Sequence, residues 1–259
     1  MFTPEERAQL RSELLEFGRK DARITGAAIT GSLATDSEDG WSDIDLAFGV
    51  ARSDEVSQVL SDWTEHLCRA HSVLHYFDVK SGQWTYRVFL LASTLQVDLA
   101  FVAESEFRAL APTFRLVSGK ANEPRHHPPP NTADLIGMGW LYALHVRSAI
   151  ARSRLWQAEY MISGLRDQAL ALACVSRGLP AIHGRGFHLL PTGVLAQFEP
   201  SLVRELASAE LLRAFRSTTE AFLREVKHAN AELGQRLQAT LMELTEIEPT
   251  TRMQNRAQS

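Results

Sequence analysis

The stretch Gly31-Ser32-Leu33-Ala34-Thr35-Asp36-Ser37-Glu38-Asp39-Gly40-Trp41-Ser42-Asp43-Ile44-Asp45-Leu46-Ala47-Phe48 decides how this chain reads. It joins a Gly-Ser turn to a Ser-Asp-x-Asp-Leu strand through a short polar loop. Side chains alternate along a strand, so Ile44, Leu46 and Phe48 share one face while Asp43 and Asp45 share the other. Two carboxylates so close repel each other by roughly 2–4 kcal/mol at an effective dielectric near 20. A divalent cation between them removes that cost, and an all-oxygen ligand set suits Mg²⁺. The turn upstream offers backbone N–H groups and a hydroxyl to phosphate oxygens. These are parts for gripping a metal-bound nucleoside triphosphate.

Gly31, Ser32, Ser42, Asp43, Asp45 and Leu46 together resemble the signature of the nucleotidyltransferase superfamily that includes DNA polymerase β. The stretch looks most like the small-molecule branch, with its aminoglycoside and lincosamide nucleotidyltransferases. The resemblance implies a third carboxylate on a neighbouring strand. Asp98 fits, in Leu95-Gln96-Val97-Asp98-Leu99-Ala100-Phe101-Val102, where Leu95, Val97, Leu99 and Phe101 form an apolar face opposite Gln96, Asp98 and Ala100. It also implies the architecture: an α+β protein with an N-terminal mixed-sheet nucleotidyltransferase domain and a C-terminal helical-bundle domain.

Local signals outline the same division. Thr3-Pro4-Glu5-Glu6 has the form of a capping box, and Leu10, Leu14, Leu15 and Phe17 then form an amphipathic stripe, which is a mature helix rather than a targeting peptide. A strand over 24–30, the carboxylate strand at 43–50, a helix over 54–70, a hairpin (73–79 and 84–92) and the Asp98 strand follow. His126-His127-Pro128-Pro129-Pro130-Asn131 then breaks the pattern, since consecutive prolines cannot enter a helix interior. Helices are expected over 132–152, with Leu135, Leu141, Val146 and Ile150 inward, and over 154–177, closed by Gly178. A Gly/Pro-rich connection from Leu179 to Pro200 leads to one or two further helices. The expected domains are 1–125 and 131–247, with a disordered polar tail at 248–259.

Composition narrows the function. The 259 residues carry 27 Lys and Arg against 31 Asp and Glu, a net charge of −4 that gives no footprint for a long nucleic acid. No apolar run reaches the roughly 18 residues of a membrane span. Cys68 and Cys174, the only cysteines, lie far apart and read as buried reduced thiols, so a cytoplasmic protein is expected. The oligomeric state stays open, a homodimer included.

The chemistry implied is transfer of a nucleoside monophosphate, AMP from ATP by the resemblance, to a hydroxyl of a small-molecule acceptor, with pyrophosphate released. Asp43 and Asp45 would coordinate one Mg²⁺ and Asp98 would complete a second metal position, the two-ion arrangement that steadies attacking and leaving oxygens. Gly31 lets backbone approach phosphate, Ser32 binds a phosphate oxygen, and Ser42 orients a metal-ligating carboxylate. The general base is open between Asp98 and Glu159. Glu159 shares a helix face with Trp156, Ser163 and Arg166, opposite an apolar stripe of Leu155, Ala158, Ile162, Leu165, Ala169 and Leu172; a solvated face explains it equally.

Weaker candidates are read as structural. Glu104 and Glu106 are loop charges, His126-His127 a linker, and Arg185 part of a helix connection that lacks P-loop spacing. Arg147, Arg152 and Arg154 could reach phosphate, though solvated charges near helix ends explain them equally, and Asp36, Glu38 and Asp39 are read as solvent-facing loop residues. A cationic antibiotic would want acidic walls, for which Glu159 and Asp167 are a thin supply. Two rival functions remain: a toxin–antitoxin protein adenylyltransferase, and a non-catalytic nucleotide sensor. The large helical part argues against the first, and the three filled carboxylate positions against the second.

Overall fold

The computed structural model describes residues 1–246; the expected tail at 248–259 and residue 247 lie outside them. The chain divides into two compact units, the first ending at His127 and the second beginning at Pro128. Among the described residues there are six strands, all in the first unit, and seven α-helices.

The first unit opens with α1 (Pro4–Lys20), started by the capping box: Glu6 N–H donates to the Thr3 hydroxyl and Thr3 N–H to the Glu6 carboxylate. Then come β1 (Ile24–Thr30), β2 (Ile44–Val50), α2 (Val56–Ala70), β3 (Val73–Ser81), β4 (Trp84–Leu91), β5 (Gln96–Ala103) and β6 (Phe114–Gly119). They form one sheet in the order β3-β4-β5-β2-β1-β6, antiparallel throughout except for the central parallel pair β2–β5. The crossover α2 and the β3–β4 hairpin separate those two strands in sequence, as a parallel pairing requires. Strand β6 was missing from the sequence reading. Its six residues, Phe-Arg-Leu-Val-Ser-Gly, are short and only partly alternating, and it takes its place on the edge by pairing with β1.

Alternation sorts the sheet into two faces. Ile44, Leu46, Phe48, Val97, Leu99 and Phe101 join α1 and α2 in the main core, where the Trp63 ring lies 4.5 Å from Phe48 and 5.2 Å from Phe101. On α1, Leu10 and Leu14 are buried as expected, and Arg7 is buried beside them. On α2 the buried stripe runs Val59, Leu60, Trp63, Thr64, Leu67. Cys68, one step round the helix from Leu67, is exposed, which corrects its reading as a buried thiol; Cys174 is buried. The opposite sheet face carries small residues, Ala28, Ala47 and Ala100, partly covered by Phe107 and Trp84. Phe107 lies flat enough over β1 and β2 that a Cβ at Gly26 or Gly49 would collide with its ring.

The second unit is helical. It comprises α3 (Thr132–Ala151), capped by Asn131; α4 (Leu155–Val175); the single turn α5 (Thr192–Leu195); α6 (Ser208–Ala229); and α7 (Ala231–Glu243). Ile162, Leu165, Leu172, Phe215, Phe222 and Val226 build its core. Of the predicted α4 stripe, Ala158, Ile162, Leu165, Ala169 and Leu172 are buried and Leu155 is half-buried, and Gly178 follows the helix with φ +67°. On α3 the buried stripe runs Leu135, Ile136, Gly139, Ala143, Val146 and Ile150, while Leu141, expected inward, is 36% exposed. No helix among the described residues is long and apolar enough to cross a membrane.

Candidate active site

The parallel pairing of β2 with β5 sets Asp45 directly beside Asp98. Paired residues on neighbouring strands lie one strand spacing apart, about 4.8 Å, with side chains on the same face. Here that is the small-residue face, opposite the aromatic core. Asp43 stands one residue before β2, at the same parity as Asp45, and Gln96 Nε2 donates to its Oδ2 at 3.2 Å. Asp98 is largely shielded from solvent and its Oδ1 is buried with no hydrogen-bond partner among the described residues. Burial first, and then the charge of Asp43, push its pKa up to about 6.

Gly31 closes the other side of the site. Its φ of +66° and ψ of −151° suit glycine alone, and a Cβ there would overlap the Asp45 carboxylate. The turn after it is a short 3₁₀ segment, Ser32–Thr35, that returns at Asp36 with φ +54°. The Ser32 hydroxyl donates to Ser42 Oγ at 3.1 Å. Ser42 in turn donates to Asp39 Oδ1 at 3.0 Å and accepts from Asp39 N–H at 2.9 Å. The one hydroxyl proton of Ser42 therefore goes to Asp39, so this serine steadies the loop acid.

Three loop acids hold the loop, Asp36 and Asp39 exposed as expected and Glu38 partly shielded. Glu38 is clamped by Arg7 (Nε to Oε1, 3.0 Å) and Arg11 (Nη1 to Oε1, 2.6 Å), and its side chain is 17% exposed. Arg7 also donates to the Ser42 carbonyl at 2.7 Å. Asp39 accepts from Trp41 N–H and from Ser42, bonds that hold its carboxyl below the usual range. Asp36 pairs with Arg115 of β6 at 2.8 Å, though both are exposed. Arg7 was the legible signal: it sits on the Leu10–Leu14 stripe, and a charge on a buried stripe needs a partner.

The other sequence candidates lie on other elements. Glu159 lies in the second unit, half-buried, where Ser163 Oγ donates to its Oε1 at 2.8 Å and Arg166 donates to Ser163 at 2.9 Å. Trp156 on the same face is 78% exposed. Arg147, Arg152, Arg154, Arg185, His126 and His127 are exposed, and Glu104 to Glu106 form a surface turn in which Glu106 meets Arg108 at 3.6 Å. Tyr86 was overlooked. It faces the site from β4, half-buried, its ring 6.0 Å from Trp84, and burial and the charge of Asp98 push its hydroxyl pKa up.

The donors available suit Mg²⁺: carboxylate oxygens, one of them buried and unpartnered, beside a turn whose glycine leaves backbone accessible. Among the described residues no three His, Cys, Asp or Glu side chains are gathered tightly enough to cage a metal as they stand. That is compatible with Mg²⁺, which is bound through one or two carboxylates plus substrate phosphates rather than in an all-protein cage.

No protein family's sequence profile matches the chain, and no curated protein matches its sequence. Comparison of folds finds 29 matching chains of solved structures. One is an aminoglycoside 6-adenyltransferase from Bacillus subtilis, with a TM-score of 0.43 and 13% identity over 95% of this chain and 100% of that one.

Proposed function

We propose that the chain is a Mg²⁺-dependent nucleotidyltransferase that moves a nucleoside monophosphate, AMP from ATP, onto a hydroxyl of a small molecule. The observation that carries this reading is the pairing of Asp45 with Asp98 on one sheet face, with Asp43 at the strand mouth and the Gly31 turn alongside. A protein without use for charge there has no reason to gather three half-buried, like-charged groups against small residues. Asp43 and Asp45, with Asp98, would hold the metal, which would neutralise charge on the phosphates during displacement.

The chain's own groups divide the remaining work. The Gly31–Ser32 backbone and the Ser32 hydroxyl meet phosphate oxygens, the hydroxyl by rotating away from Ser42. The acceptor oxygen attacks the α-phosphorus; the bond to the oxygen bridging to the β-phosphorus breaks, and pyrophosphate leaves with its electron pair. Asp98 receives the hydroxyl proton, since its unpartnered Oδ1 faces the site and Glu159 is already engaged by Ser163. The Arg7–Glu38–Ser42 ties hold the loop at the strand mouth, so that Asp43 is presented at a set position.

The test is incubation with MgCl₂, each NTP in turn and a panel of hydroxylated antibiotics and sugars, following pyrophosphate. Asp43→Asn and Asp45→Asn should each lower turnover about a thousandfold or more while the far-ultraviolet spectrum stays unchanged. Near-normal pyrophosphate release from either variant would remove the assignment.

A further inference from the structure

The sheet face that bears Asp98 does not end at β5. Cross-strand pairing continues the row Asp45, Asp98 to Val88 on β4 and Phe77 on β3. The adjoining row runs Ala47, Ala100, Tyr86, Val79, and on the other side Gln96 is followed by Leu90 and His75. The charged residues of this hairpin fall at the other parity. Arg87 pairs with Asp78 at 2.6 Å and donates to Thr64 of α2, on the helix-covered face. Beyond the carboxylates, this surface is therefore largely apolar, its polar groups including Gln96, the Tyr86 hydroxyl and His75 at the rim. It is also open: Phe77 is 54%, Val79 46% and Leu90 47% exposed. Large apolar side chains left in contact with water beside a polar site mark a binding surface.

We propose that Val88, Tyr86, Phe77, Val79 and Leu90 seat the hydrocarbon body of the acceptor, so that the acceptor is an uncharged, hydroxyl-bearing amphiphile rather than a polycation. The inference rests on the nucleotidyl-transfer reading and narrows its substrate class. Two strand spacings, about 10 Å, separate Asp98 from Phe77. An acceptor whose hydroxyl lies at Asp98 thus has room to extend an alkyl chain or a ring pair along the row. The strip is continuous with the carboxylates and lacks the acids that a polycation needs to offset its own desolvation. An uncharged occupant meets no such penalty. Transfer then forms the bond from acceptor oxygen to α-phosphorus and expels pyrophosphate, the acceptor proton passing to Asp98.

The test uses the full chain with ¹³C-labelled Val and Leu methyls. Probes are methyl, hexyl and octyl β-glucoside below micelle formation, with kanamycin as the polycation. Octyl glucoside should shift the Val79, Val88 and Leu90 methyls, with Kd falling about fourfold for each methylene buried along the series. Phe77→Asp combined with Leu90→Asp should abolish that dependence while MgATP affinity stays within about twofold. Equal affinity across the glucosides would overturn the proposal, as would kanamycin shifting these methyls as strongly as octyl glucoside. Methyls screened from a soluble paramagnet in the free protein would overturn it too, because a second copy or the rest of the chain would then occupy the strip. Pyrophosphate release with MgATP is read separately. Chain-length dependence without transfer to any acceptor would strike the transfer reading and leave the apolar seat standing. Transfer that favoured kanamycin would strike the seat and leave the transfer reading intact.

Discussion

At Asp98 the protein accepts a cost that nothing in its fold requires. A carboxylate with its pKa raised to about 6, against 3.8 for the free group, binds its proton more tightly when folded. Its contribution to stability is therefore full below pH 3.8 and is lost as pH rises toward 6, after which it is flat. By 1.4 kcal/mol per unit, discounted because Asp98 keeps some solvent contact, the penalty at neutral pH is about 1–3 kcal/mol. Asp98→Asn should thus melt higher than wild type at pH 7.5 in EDTA, and the gap should close toward pH 4. A lower melting temperature at both pH values would contradict the buried, unpartnered state of Oδ1. Gly31 makes the complementary case. Gly31→Ala carries a left-handed-φ cost of roughly 1–2 kcal/mol and drives a methyl group into the Asp45 carboxylate. It should lower stability by at least that amount and weaken the thermal stabilisation produced by MgATP; unchanged stabilisation would separate Asp45 from the nucleotide site. The sequence pointed to Gly31 as room for phosphate. The structure adds that the room is already partly used by Asp45.

The loop from Gly31 to Ser42 behaves as an element although it has almost no regular structure. Hydrogen bonds Ser32–Ser42, Ser42–Asp39 and Trp41–Asp39 tie it internally, and Arg7 and Arg11 of α1 tie it to the rest of the first unit. Arg7 is 2% exposed, so removing its partner strands a buried charge. Arg7→Met should destabilise by about 2–4 kcal/mol and Glu38→Gln by somewhat less, because Arg7 keeps its bond to the Ser42 carbonyl. The double variant should cost markedly less than the sum, a coupling of about 1–2 kcal/mol measurable by urea unfolding. Strict additivity would mean the two side chains do not act through each other. Alternation made the strands β2 and β5 readable one by one, and the capping box made α1 readable. Of the clamp, Arg7 on its buried stripe showed that a partner was needed, but not which one, because Glu38 is 31 positions away and nothing local to Arg7 names it.

The whole molecule is two cores joined at an exposed proline-rich segment. Residues 120–129 are exposed, and the segment holds to the first unit by backbone bonds from Arg125 to Ala109 and His127 to Leu110. Trypsin at low dose should cut first at Lys120 or Arg125, giving two fragments ahead of any cleavage within helices α3 to α7; early cuts inside α4 or α6 would contradict a separately packed helical unit. The sequence by itself determined most of the elements and their inward faces, since side-chain period is local, though not β6 or the exposed Leu141 of α3. The proline run at 128–130 is legible in the same way, since proline geometry is local too. The sequence named Gly31, Ser32, Asp43, Asp45 and Asp98 through their resemblance to a family signature, with strand parity putting the carboxylates on one identifiable face. What only the tertiary structure decided was which strands lie side by side. The β2–β5 pairing brings together residues 53 positions apart, and β6 completes the edge. The loop clamp and the apolar row beyond Asp98 follow from those pairings alone, because a neighbour across a sheet is chosen by the packing of the whole unit and leaves no trace at either residue's own position.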